Sequence, residues 1–165
     1  MSRAAIERAI PHRKPFLLLD EIVEQSEKRI VCRKRFTGDE FWYRGHYPDF
    51  PLTPGVLLCE AAMQAGAVLL ARRVGRVCET HHDVADGGSR SSTHPTAAIE
   101  SHGVPVVTRM NNVKFKAMVR PGDTVDLEVE LVERMADAFF MNAKVTVDGK
   151  AAVTFDFACK MAAPN

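Results

Sequence analysis

The stretch GHYPDFPLTPGVLLCEAAMQ, residues 45–64, decides the fold of this chain. Thr53 is predicted to cap a helix whose first residue is Pro54, because threonine accepts from free helix amides and proline has no amide to leave unpaired there. The sequence then stays apolar as far as Ala71, with only two strongly polar side chains inside it. A helix that is apolar on nearly all sides must be surrounded by other elements.

The rest of the chain is mainly strand-like. Residues 125–131 alternate between apolar and charged side chains, the period of a strand with one face in water. Asp148-Gly149 is a strong signal for a hairpin turn. The predicted segments are a short helix over 2–10 and strands over 16–23, 29–36, 125–131, 138–147 and 151–161, with a further strand-like pattern from Val106. Five or six antiparallel strands can enclose one helix only by curling, so we expect an α+β fold with a strongly bent antiparallel sheet around a central helix.

Length and composition indicate a single soluble domain over 1–165. Residues 75–105 are rich in Gly, Ser, Thr and His, which predicts an inserted, mobile surface loop.

The net charge of +1 argues against a nucleic-acid binder that relies on bulk positive charge. The apolar helix is short for a membrane span, so we expect no membrane insertion. Four cysteines without a CxxC pair, and an N-terminus unlike a secretory signal, predict free thiols in the cytoplasm.

Glu60 and Gln64 are the two polar side chains of the apolar helix, and their spacing of four places them on one face. A carboxylate buried without a partner is expected to stay protonated, which would make Glu60 a proton donor near neutral pH. The competing interpretation is structural: Glu60 would bond to Gln64 or to a backbone amide and serve packing alone.

His46 and Gly55 supply the other parts that proton transfer needs. His46 lies in an irregular, proline-rich segment, where Asp49 and a backbone carbonyl are equally good partners for its ring. Gly55 lies in the first helical turn, whose free amides stabilise an oxygen that becomes anionic. A base, an oxyanion site and an acid suit removal of a proton α to a thioester carbonyl with loss of a β-hydroxyl.

Three segments carry a resemblance to a known family: IPHRKPFLLLD (10–20), the 45–64 stretch and NNVKFKAMVRPGD (111–123). Together they resemble the β-hydroxyacyl-acyl-carrier-protein dehydratases of bacterial fatty-acid synthesis, which are hydro-lyases. The resemblance implies a hot-dog fold, with the sheet wrapped around the long helix. It also implies a homodimer whose two sheets join, often assembled into a trimer of dimers.

Carried over by position, the resemblance implies a role for each candidate residue. His46 would be the base that removes the α-proton, and Glu60 the acid that protonates the departing hydroxyl. The two would come from different subunits of the dimer. Gly55 would supply the oxyanion amide and the Leu52 carbonyl would orient the His46 ring, while Gln64 is a candidate partner of Glu60. No metal or redox cofactor is implied, since the substrate is carried on the phosphopantetheine of acyl carrier protein.

The chain departs from the family pattern at three places. Tyr47 stands where the family usually has Phe, Leu52-Thr53 replaces Val-Met, and Trp42-Tyr43 replaces a Phe pair.

Basic side chains are candidates for docking an acidic carrier protein: Arg33, Lys34, Arg35, Lys114, Lys116 and Arg120. A solvated loop, rather than a metal site, is the preferred interpretation of the cluster Cys78, His81, His82, His94 and His102.

The leading hypothesis is therefore a dehydratase that converts (3R)-hydroxyacyl thioesters on acyl carrier protein into trans-2-enoyl thioesters. An enoyl-CoA hydratase would use similar chemistry on coenzyme A thioesters. Two more hypotheses are a hot-dog thioesterase and a non-catalytic accessory subunit of the same fold. The sequence leaves open the acyl chain length and any isomerase activity.

Overall fold

The computed structural model describes residues 1–79 and 103–162. Within them the elements are α1 (Arg3–Ala9), β1 (Glu21–Gln25), β2 (Arg29–Arg35), a 3-10 helical turn (Phe41–Arg44), α2 (Gly55–Glu79), β3 (Val104–Phe115), β4 (Thr124–Met135), β5 (Ala138–Val147) and β6 (Lys150–Ala162). The six strands form one antiparallel sheet in the order β1-β2-β4-β5-β6-β3.

The sheet curves around α2, which contacts five of the strands, β2 to β6. Small residues on α2, Ala61, Ala62 and Ala65, are fully buried and let the sheet approach the helix closely. Register shifts interrupt the pairings of β1 with β2, β4 with β5 and β3 with β6, and such bulges increase twist and bend a sheet. The predicted α+β architecture, a bent antiparallel sheet around a central helix, is confirmed.

The local patterns after α2 are also confirmed. Side chains of β4 alternate between buried and more exposed positions from Thr124 to Leu131, as the alternation of apolar and charged residues predicts. Asp148 and Gly149 both adopt positive φ, 48° and 73°, which is the geometry of a type I′ turn between β5 and β6.

The strand predicted over 16–23 is wrong in its first half, since β1 begins only at Glu21. Leu17, Leu18 and Leu19 are all buried, but the chain there pairs with a side chain instead of a strand. The Leu18 amide donates to Gln64 Oε1 at 2.9 Å, and the Phe16 carbonyl accepts from Gln64 Nε2 at 2.8 Å. Gln64 therefore satisfies backbone groups that would otherwise require a neighbouring strand.

The start of α2 also differs from the prediction. The helix begins at Gly55, and the Pro54 carbonyl accepts from the amides of Leu57 and Leu58. Thr53 does not cap it, because its hydroxyl bonds instead to the phenol of Tyr43 at 2.6 Å.

At its other end, α2 continues to Glu79, and β3 begins at Val104, so both elements enter the segment predicted as a loop over 75–105. Residues 80–102 lie outside the described part of the chain. No helix in the described ranges is long and apolar enough to cross a membrane.

Candidate active site

His46 lies on the segment between the 3-10 turn and α2, and hydrogen bonds fix both its backbone and its ring. Its amide donates to the Trp42 carbonyl at 2.8 Å. Its Nδ1 lies 3.1 Å from the carbonyl oxygen of Leu52. Because a carbonyl can only accept, Nδ1 carries the hydrogen, which leaves Nε2 of the neutral ring as a lone-pair acceptor. The sequence left this tautomer open, and the structure assigns it.

A cavity of about 570 Å³ opens beside His46. Its volume falls within the range of small-molecule sites. The first turn of α2 forms one wall and the chain after β3 forms the other. The lining residues are His46, Leu52, Thr53, Pro54, Gly55, Val56, Leu58, Phe115, Lys116, Ala117 and Met118. The His46 ring and the free amides of a helix N-terminus therefore share one mainly apolar cavity.

Gly55 is required at the start of α2 by its contact with Phe115. A Cβ at this position would lie 2.5 Å from Phe115 Cε1 and 2.6 Å from Cδ1. We expected glycine here to let a ligand approach the helix, and the structure adds a second reason, since the aromatic ring already occupies the space above it. Phe115 is half exposed at the end of β3, and its ring forms part of the cavity wall.

Glu60 lies among residues of the N-terminal segment rather than in this cavity. Gln64 Nε2 donates to Glu60 Oε1 at 3.0 Å, which is the contact that the spacing of four predicts. The Glu60 side chain is 24% exposed in the single chain, so the expectation of a fully buried, unpartnered carboxylate is wrong. His12 Nε2 lies 3.9 Å from the same oxygen. No sequence pattern signals this contact, because His12 is far from Glu60 along the chain.

Within one chain, Glu60 is not among the residues that line the cavity beside His46. Five residues along a helix rotate a side chain by about 140° and advance it by about 7.5 Å, so Gly55 and Glu60 face different directions. Glu60 accordingly meets His12, and its partner Gln64 bonds Phe16 and Leu18, while Gly55 meets Phe115. The structure brings His46, Leu52 and Gly55 together, brings Glu60 and Gln64 together, and keeps the two groups apart.

The described cysteines are buried free thiols. Burial raises the pKa of Cys59, which precedes Glu60, to about 11, so the thiol is protonated at neutral pH and is a poor nucleophile. Cys78, His81, His82, His94 and His102 lie outside the residues whose side chains are described. Within the described ranges, no group of three or more His, Cys, Asp and Glu residues could hold a metal ion.

Comparison with known proteins identifies the family. The FabA-like domain profile matches residues 10–91. The 3-hydroxyacyl-acyl-carrier-protein dehydratase FabZ of Clostridium perfringens strain SM101 is 36% identical over 147 residues, which cover 89% of this chain and 88% of the relative. The chain belongs to the 3-hydroxyacyl-acyl-carrier-protein dehydratase family. The FabZ dehydratase of Staphylococcus aureus strain JH9 is 35% identical over 149 residues, with 89% of this chain and 85% of the relative covered.

Solved structures agree on the fold. One chain of the dehydratase heterocomplex ApeI:P from Xenorhabdus doucetiae superposes with a TM-score of 0.71 at 17% identity, covering 97% of this chain and 91% of that chain. The hot-dog fold implied by the sequence resemblance is therefore confirmed. The sequence relatives confirm that the chain belongs to the dehydratase family. They also confirm its assignment as a hydro-lyase of fatty-acid synthesis.

Proposed function

We propose that the protein removes water from (3R)-hydroxyacyl thioesters carried on acyl carrier protein and releases trans-2-enoyl thioesters. One observation carries the proposal: the Leu52 carbonyl fixes the His46 ring so that Nε2 is free to act as a base in the cavity at the start of α2. The cavity is lined mainly by apolar side chains, which suits an acyl chain.

The residues suit a β-elimination that starts from neutral His46 and protonated Glu60, and that ends when His46 gives its proton to solvent and Glu60 regains one. His46 Nε2 takes the proton from the carbon next to the thioester carbonyl, and the electron pair of that bond moves toward the carbonyl oxygen. The amide of Gly55, at the positive end of α2, stabilises the negative oxygen. The electrons then return to form the double bond between Cα and Cβ, while Glu60 gives its proton to the departing hydroxyl, which leaves as water.

We propose that this site requires two chains, because the cavity beside His46 does not include Glu60 of the same chain. The strand β3 lies at one end of the sheet and is 12 residues long. Its exposed apolar side chains are Val104, Val106, Val107, Met110, Val113 and Phe115. A long apolar edge strand favours pairing with another strand, and a second copy would extend the sheet across a dimer. Glu60 of the partner subunit would then complete the site. A trimer of such dimers is the larger assembly implied by the resemblance, and the mass in solution distinguishes it from a dimer.

Acyl carrier protein is the partner that we propose, and the structure narrows the candidate docking residues. On β2, Arg33 pairs with Asp126 and Lys34 pairs with Glu40, so these cations already have acidic neighbours. The remaining candidates are exposed, and one of them, Lys116, lines the cavity; they are Arg35, Lys114, Lys116 and Arg120. They would attract an acidic carrier and direct its phosphopantetheine arm toward His46. That arm is the only prosthetic group that we propose for the reaction.

The compartment that we propose is the cytoplasm. Cys32, Cys59 and Cys159 are buried free thiols, the state in which cysteines persist in a reducing environment.

A direct test follows enoyl formation from a (3R)-hydroxyacyl thioester, presented in parallel on acyl carrier protein and on coenzyme A. The proposal predicts turnover of the carrier-bound substrate, lost in both His46→Ala and Glu60→Gln while their circular dichroism spectra stay unchanged. Release of free thiol would instead identify a thioesterase, and turnover of the coenzyme A substrate alone would identify a hydratase. Absence of turnover at every chain length would indicate an accessory subunit.

A further inference from the structure

Two of the residues that depart from the family pattern contact each other. The Tyr43 phenol and the Thr53 hydroxyl lie 2.6 Å apart, and both residues are buried. The usual residues at these positions, Phe and Met, have no groups with which to form such a bond. Burial raises the pKa of the Tyr43 phenol, so it keeps its hydrogen at neutral pH.

The contact lies next to the peptide that orients the base. The carbonyl of the Leu52–Thr53 peptide accepts from His46 Nδ1 at 3.1 Å, and the amide of the same peptide donates to the Val119 carbonyl at 2.7 Å. The side chain of Thr53 is held by Tyr43. The Leu52–Thr53 peptide is thus hydrogen-bonded through both its carbonyl and its amide. The Thr53 side chain adds a third bond, to Tyr43.

Tyr43 also belongs to the element that fixes the His46 backbone. It lies in the 3-10 turn Phe41–Arg44, and the adjacent Trp42 carbonyl accepts from the His46 amide at 2.8 Å. The segment between His46 and Thr53 is therefore tied to this turn at both ends: at His46 through the backbone and at Thr53 through the two hydroxyls.

We propose that Tyr43 and Thr53 are positioning residues that fix the Leu52–Thr53 peptide and, through it, the orientation and tautomer of the His46 ring. This inference rests on the proposed function of His46 as the base. Without the bond between the hydroxyls, only the Val119 carbonyl still restrains this peptide, and the Leu52 carbonyl holds Nδ1–H less firmly. A ring that samples other orientations reacts more slowly, because small displacements of a catalytic group are costly to the rate.

The test compares single and paired substitutions. Tyr43→Phe and Thr53→Val each remove one hydroxyl, and we expect kcat to fall about tenfold to a hundredfold in each, with KM within about twofold of wild type. Thr53→Ser keeps the hydroxyl and should retain most of kcat. Tyr43→Phe combined with Thr53→Met restores the apolar pair of the family, and we expect a smaller loss than the two single losses multiplied. Thr146→Val removes a half-buried hydroxyl on β5, outside the cavity, and should leave kcat unchanged.

A spectroscopic measurement separates positioning from general destabilisation. Long-range ¹H–¹⁵N spectra show which ring nitrogen carries hydrogen, and the His46 signals are assigned by their absence in His46→Gln. We expect hydrogen on Nδ1 alone in the wild type and a mixture of both tautomers in Tyr43→Phe and Thr53→Val. A single Nδ1–H tautomer and an unchanged kcat in both variants would overturn the inference. If the wild type formed no enoyl product, the proposed function would fail, while the spectra would still decide whether Tyr43 and Thr53 position the ring.

Discussion

Replacing Gln64 by leucine should destabilise the fold, because one side chain there satisfies a buried backbone amide and a partly buried carbonyl. Gln64 is 1% exposed, and it accepts from the Leu18 amide and donates to the Phe16 carbonyl. Leucine is similar in volume, so the substitution removes hydrogen bonds without creating a large cavity. A buried group left without a partner costs about 1–3 kcal/mol, so the Leu18 amide alone gives a loss of about 1–3 kcal/mol in the free energy of unfolding, and the part-buried Phe16 carbonyl adds to it. That is a large fraction of the about 5–15 kcal/mol that stabilises a typical domain.

The assay is urea unfolding at one fixed protein concentration, because association with a second chain would otherwise change the apparent stability. Met63→Leu is the matched control: it is partly buried on the same helix, next to Gln64, and a volume-conserving change of this kind costs less than about 1.5 kcal/mol. A loss for Gln64→Leu below about 1 kcal/mol, with the same denaturant dependence as wild type, would refute the role assigned to Gln64.

Three further predictions concern the cavity, the thiols and the docking surface. Gly55→Ala should lower kcat/KM at least about tenfold, because the new Cβ would collide with the Phe115 ring. Adding Phe115→Leu to the same chain should recover part of the loss. No recovery would contradict the contact between residue 55 and the Phe115 ring. In a Cys78→Ala background the remaining thiols are the buried ones, Cys32, Cys59 and Cys159. They should react with a disulfide reagent at about pH 8 only after unfolding, because burial raises the pKa of Cys59, for example, to about 11. Rapid labelling of the folded protein would argue against this burial. Arg120→Glu should raise KM for a carrier-bound substrate at least about fivefold and leave KM for a short pantetheine thioester unchanged, whereas equal effects on both would exclude this docking role.

The sequence predicts elements that depend on local patterns. The alternation in β4, the Asp148-Gly149 turn and the long apolar helix all appear where they are expected, because each is specified by neighbouring residues. The central architecture follows from these elements, since an apolar helix has to be enclosed.

Predictions failed where a distant side chain determines the local structure. Around Phe16 and Leu18 the chain bonds Gln64 instead of a strand, and Thr53 is not a helix cap because Tyr43 takes its hydroxyl. Neither contact has a signal in the spacing of residues along the chain. Glu60 illustrates the same limit, since its exposure depends on how the N-terminal segment packs beside the helix and not on the apolar residues around it in sequence.

The central claim, that His46 of one chain acts with Glu60 of another, is tested most directly by mixing two inactive variants. Purified His46→Ala and Glu60→Gln proteins are mixed in equal amounts, dissociated and allowed to reassociate. Random pairing makes about half of the dimers mixed, and each mixed dimer has one intact site of two, so about a quarter of wild-type activity should return. Activity that stays at the level of the separate variants, although mass measurement shows that mixed dimers have formed, would contradict a site shared between chains.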